Sequence, residues 1–170
     1  DQKKDDRINK ARRRGYDFIM NWQRGSGLWK DDTFHPAGIE TTAHLMQYTL
    51  IPAYFIDGIE DAQKICFEAA NSMVDEQAEN GSWDGENMDH TMDACRNLIL
   101  VADTFNQKEK YSSAIAKGVR WLLDEKNELG WGDFKEEPSN VERTADGVDT
   151  LLKQFEIFVK RWGWPSAKML

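Results

Sequence analysis

Residues 71–83 read Asn71-Ser-Met-Val-Asp-Glu-Gln-Ala-Glu-Asn-Gly-Ser-Trp83, and two other stretches repeat the pattern: Asp17-Phe-Ile-Met-Asn-Trp-Gln-Arg-Gly-Ser-Gly-Leu-Trp29 and Val119-Arg-Trp-Leu-Leu-Asp-Glu-Lys-Asn-Glu-Leu-Gly-Trp131. In each, a Gln or Glu (Gln23, Gln77, Glu125) stands six residues ahead of a tryptophan (Trp29, Trp83, Trp131), with glycine beside or just before the ring. The tryptophans are 54 and 48 residues apart, so a unit of about fifty residues occurs three times in the 170-residue chain. A fixed period of this length marks stacked repeats and takes precedence over reading any segment alone.

Outward from these turns, hydrophobic periodicity predicts two helices per unit. The helices before the turns, 7–23, 60–78 and 111–126, are amphipathic and read as an outer layer, with stripes such as Ala62, Ile65, Cys66, Ala69 and Met73. Those after the turns, 39–56, 88–105 and 141–160, are more apolar toward their ends (Leu98 to Ala102; Leu151, Leu152, Phe155, Phe158, Val159) and read as an inner layer packed on both neighbours. Pro52 should kink or end the first inner helix near Ile51. Strand content should be near zero. A fifty-residue hairpin cannot bury its own apolar face, so the hairpins must stack side by side. The expected fold is all-α, an arc of three helical hairpins in a single domain spanning 1–170, with repeats at 7–56, 60–105 and 111–160 and a cap at 161–170 built on Trp162-Gly-Trp164-Pro165.

Bulk properties narrow the function. The net charge is -8, with 30 acids against 22 bases, which disfavours nucleic acid. Arg12-Arg13-Arg14 reads as a solvated face, set among apolar positions Ile8, Ala11, Gly15, Phe18, Ile19 and Trp22 at helical spacing. Cys66 and Cys95 both fall on apolar stripes, where a thiol behaves as a small hydrophobe, so no disulfide framework is expected. No run approaches the roughly eighteen apolar residues of a membrane span. A cytoplasmic protein is the expectation. Because residue 1 is Asp, a larger parent chain stands beside a homodimer as an expected context.

The three turns resemble the repeat of the terpenoid cyclase and protein prenyltransferase superfamily, the squalene-hopene cyclases above all, in which a Gln near a helix end and a Trp in the next turn recur around an (α/α) toroid. The match covers nearly the whole chain. The resemblance implies that the Gln amide bonds backbone at a helix end while the indole packs on the neighbouring helix. It also implies a hydrophobic, isoprenoid-like substrate or ligand. The closed ring of that family needs more hairpins than three, so this chain reads as half a ring, a fragment, or a protomer completed by pairing. The cyclase Asp-x-Asp-Asp motif is absent: Lys4-Asp-Asp6 and Trp29-Lys-Asp-Asp32 both lack the first Asp. Asp93-Ala94-Cys95 resembles the zinc-binding Asp-x-Cys pair of the prenyltransferases, but helix 141–160, which should supply a histidine, has none. No metal and no cofactor is expected.

A second triplication lies at the mouths of the inner helices: Glu40-Thr-Thr-Ala-His44, Asp89-His-Thr-Met-Asp93 and Glu142-Arg-Thr-Ala-Asp146. Acid and second polar group are four apart and share a helical face, while Thr42, Thr91 and Thr144 point away and should bond backbone. Acids in a first turn complement the helix dipole by about 0.3–1 kcal/mol, and Ser139-x-x-Glu142 reads as a capping box. Like charges at Asp89 and Asp93 call for a counter-group or a ligand. In the enzymatic reading Asp89, Asp93 and Asp146 supply or orient a proton, His44 is base or counter-group, and Glu40, Glu142, Met92 and Cys95 line the substrate. The competing readings are a non-catalytic binding or assembly module and a carbohydrate-acting toroid, since acids beside aromatics also suit sugars.

Overall fold

In a computed structural model, residues 2–23, 27–29 and 38–161 are described. His35, Pro36 and the expected cap around Trp162 and Trp164 lie outside them. The helices are α1 (Gln2–Trp22), α2 (Ile39–Leu45), α3 (Ile51–Asp57), α4 (Glu60–Asp75), α5 (Met88–Thr104), α6 (Lys108–Glu125) and α7 (Val141–Gln154). A π-helical segment, Met46–Leu50, joins α2 to α3, and a second, Phe155–Arg161, extends α7, so the described residues form six continuous helical rods. Among the described residues there is no strand, only the isolated bridges Asn87–Phe134 and Asn127–Gly130. The fold is all-α, and the rods match the predicted outer and inner segments to within a few residues.

Of the two outcomes expected at Pro52, an end of the helix is excluded: the helical chain runs on to Asp57. Proline lacks an N–H and crowds the carbonyl one turn back, and the wider turn of Met46–Leu50 immediately before it absorbs that misfit.

Contacts divide the chain into two compact units, 1–69 and 70–170, the division falling inside α4. In the first unit α1 is held by polar contacts: Tyr16 Oη donates to Asp57 Oδ2 at 2.8 Å, and Arg12 pairs with the same carboxylate. Its apolar positions Ile8, Phe18 and Trp22 face outward and are exposed, as is the Arg12-Arg13-Arg14 run. Leu28, Trp29, Ile39, Met46, Leu50 and Ala53 are buried.

In the second unit α5 is the central helix. Nearly every residue from Met88 to Ala102 is buried, and α6 and α7 both pack against it. Gly118 of α6 shows how closely: a Cβ there would stand 2.5 Å from Cys95 Sγ and 2.8 Å from the Trp83 ring. The inner helix α7 departs from the expectation of cover on both sides, because Val148, Leu152 and Phe155 are exposed. Periodicity marks the apolar side of a helix; a neighbour to cover it is a separate requirement.

Both cysteines are free and buried, and burial pushes each thiol up to about 12 from 9.0. A raised folded-state pKa contributes stability that is complete below the ordinary thiol value and lost as pH climbs toward the folded one. The unfolding free energy from urea titrations should therefore fall between pH 9 and 12, by up to about 1.4 kcal/mol per pH unit per thiol. A Cys66→Ala, Cys95→Ala protein should lack this component; an identical alkaline slope in the two proteins would refute the assignment.

Candidate functional site

The triplicated turns fold into one repeated corner. The indole N–H of Trp29, Trp83 and Trp131 donates to the carbonyl of Ile19 (2.8 Å), Met73 (2.7 Å) and Leu122 (2.7 Å), each in the helix before the turn. The backbone N–H of the same tryptophans donates to Oγ1 of Thr42 (3.0 Å), Thr91 (3.0 Å) and Thr144 (3.2 Å), each in the helix after it. One residue thus fixes both arms of the hairpin. Gln23 Nε2 donates to Gly27 O at 2.7 Å, and Gln77 Nε2 to Gly81 O at 2.9 Å and to Ala114 O of α6, also at 2.9 Å. That last bond crosses from one repeat into the next. In the third corner Glu125 binds Lys135 Nζ at 2.9 Å, and Asn127 Oδ1 accepts from the N–H of Leu129 and Gly130 instead.

The corner tolerates little. Gly81 has φ of +99°, and a Cβ there would meet Lys117 O at 2.5 Å. Replacing Thr91 by the near-isosteric Val removes an acceptor and leaves the Trp83 N–H buried without a partner. This should lower the unfolding free energy by about 1–3 kcal/mol, read from urea titrations. A Thr91→Ser protein, which keeps the hydroxyl, should retain most of the stability; a Thr91→Val protein as stable as wild type would show that the hydrogen bond does not matter.

The inner helices also share a start. Asn87 Oδ1 accepts from His90 N (3.0 Å) and Asn140 Oδ1 from Arg143 N (2.8 Å), capping α5 and α7. The cap of α7 is therefore Asn140, and Ser139 instead donates to Asn127 Oδ1. Gly38, at φ of +73°, takes the corresponding place before α2 without a side-chain bond.

Beyond the caps, the acids of α5 and α7 are threaded by two arginines. Asp93 pairs with Arg96. Arg96 Nη1 lies 2.7 Å from Asp146 Oδ1, Asp146 Oδ2 lies 3.2 Å from Arg143 Nη1, and Arg143 Nη1 lies 2.7 Å from Asp89 Oδ1. Asp133 closes the end at 2.7 Å from Arg143 Nε. The result is an alternating ladder, Asp93–Arg96–Asp146–Arg143–Asp89, joining α5 and α7. Burial alone would make Arg96 easier to deprotonate, but its hydrogen bonds to Asp146 and Asp93 outweigh burial and raise its pKa. For Arg143 burial acts in the same sense and is outweighed by the bond to Asp133 and the charge of Asp89. The like-charged pair Asp89 and Asp93 thus has its counter-groups within the chain.

The site residues expected from sequence fall into three places. Asp89, Asp93, Asp146 and Glu142 gather at the mouth of α5 and α7, Glu142 at the rim 3.6 Å from Arg143. Met92 and Cys95 are fully buried in the α5 core. Glu40 and His44 sit one turn apart on α2 of the first unit, with the His44 ring 5.9 Å from that of Tyr48. Sequence reading missed Arg96 and Arg143, although each stands three residues from an acid of the ladder. The His90 ring is buried, with Nδ1 2.6 Å from Asp84, whose backbone takes a left-handed φ of 54°. Among the described residues no three His, Cys, Asp or Glu side chains converge as metal ligands, and no helix is long and apolar enough to cross a membrane.

Comparison with protein-family models, with curated proteins and with solved structures returned no match to this chain.

Proposed function

We propose that the chain is a helical-repeat domain of the terpenoid cyclase and protein prenyltransferase type, part of an (α/α) toroid, that binds a hydrophobic isoprenoid-like molecule. The observation that carries this reading is the corner repeated at Trp29, Trp83 and Trp131, with the Gln77 amide reaching α6 of the following repeat. An amide and an indole that tie hairpin to hairpin are what the resemblance implies for that family. Within this reading the ladder acids are positioning groups. Asp89, Asp93 and Asp146 each face a guanidinium, which favours a binding or assembly module over acid-initiated cyclisation.

The test is mass spectrometry of lipid extracted from the purified protein, followed by titration with farnesol and geranylgeraniol while the fluorescence of its tryptophans is read. A co-purified isoprenoid or a saturable response is expected; no lipid and no response to either alcohol would overturn the proposal. Asp146→Asn should leave the titration within about twofold of wild type, whereas loss of a measured turnover in that variant would restore the catalytic reading.

A further inference from the structure

α7 exposes a continuous apolar stripe at helical spacing: Val141 (88% exposed), Val148 (47%), Leu152 (62%) and Phe155 (48%), continued by Leu129 (83%) from the preceding turn. Two shallow grooves, of about 630 and about 350 Å³, meet at Val148 and Leu152. Scattered exposed hydrophobes are ordinary, but a row of four along one helical rod, with a fifth in the turn before it, marks a binding face. Gln154 lines the smaller groove at 2% exposure, and its Nε2 has no hydrogen-bond partner. A buried donor without an acceptor costs about 1–3 kcal/mol. One repeat earlier the corresponding helix is covered within the chain, since α6 packs along α5. The exposed face of α7 has no such cover among the described residues.

A matching helix exists in the same sequence. α1 turns Ile8, Ala11, Gly15, Phe18 and Trp22 outward at three- and four-residue spacing, on the side away from its polar attachment to Asp57. Nothing lies within 4 Å of where a Gly15 Cβ would stand, so a partner helix can approach the backbone closely. Charge is complementary as well. Residues 1–23 carry seven Lys or Arg against four Asp or Glu, and residues 124–152 carry nine Asp or Glu against three Lys or Arg. We propose that the apolar face of α7 is the docking surface for α1 of a second copy of this chain, the basic flank of α1 lying against the acidic rim of α7. The contact is heterologous: each copy offers one α1 and one α7, so assembly proceeds head to tail. It stands apart from the isoprenoid reading and can fail without it.

The test is sedimentation equilibrium of the full chain. The expected mass is two or more 19.6 kDa chains, falling toward one chain as salt is raised from about 0.1 to about 1 M, where screening shortens from about 10 to about 3 Å. Leu152→Lys, which sets a cation against basic α1, and Phe18→Glu, which sets an anion against the acidic rim, should each be a folded single chain by circular dichroism. Mixed, they should recover a one-to-one complex, because the first still offers α1 and the second still offers α7. Leu129→Lys, in a turn, should repeat the Leu152→Lys result should that helix variant lose its fold. A wild-type protein of one-chain mass at every concentration, variants that assemble like wild type, or a mixture that stays monomeric would each overturn the proposal.

Discussion

Trp83→Ala is expected to lower the unfolding free energy by about 3–5 kcal/mol, among the largest single losses open to this chain. The ring is fully buried, its N–H holds the Met73 carbonyl at 2.7 Å, and its face fills the space left by Gly118 of α6. Removal therefore opens a cavity, orphans a carbonyl at the end of α4 and loosens the contact between repeats. Trp22→Ala, at an exposed position on α1, should cost less than about 1 kcal/mol. Urea denaturation followed by far-ultraviolet circular dichroism separates the two, and similar losses at Trp83 and Trp22 would mean that the corner is not what holds the hairpins.

The second large effect is expected at Arg96. Its side chain is 15% exposed and that of its partner Asp93 only 6%. Arg96→Met keeps much of the bulk but leaves Asp93 buried without its guanidinium and cuts the bridge to Asp146 on α7. A loss of up to about 3–5 kcal/mol follows from removing one partner of a buried ion pair. Adding Asp93→Leu to Arg96→Met should recover a large part of that loss, because an apolar pair of similar volume carries no desolvation penalty. Thermal unfolding of the single and double variants measures this coupling directly; strict additivity would show that the two side chains do not depend on each other.

How much of this could be read in advance follows from the range of each interaction. The corners are local: Gln, Gly and Trp lie within seven residues, and Thr follows eight or thirteen residues later, so spacing alone exposes them. The helices were legible because their apolar period is strong. The π-helical segment Met46–Leu50 before Pro52 was not, since no residue pattern announces it. The ladder was half legible. Its acids stood out as a triplicate, whereas Arg96 meets Asp146 fifty residues on, a pairing that arises only once α5 and α7 are side by side. The open face of α7 was invisible for a related reason: an apolar stripe looks the same in sequence with or without a covering helix.

Hydrogen exchange of the indole N–H groups, resolved by nuclear magnetic resonance on the native protein, tests the repeated corner most directly. The corner predicts that Trp29, Trp83 and Trp131 exchange slowly, each being buried and bonded to a carbonyl of the preceding helix, while exposed Trp22 exchanges at the rate of free indole. Any of the three exchanging as fast as Trp22 would contradict it.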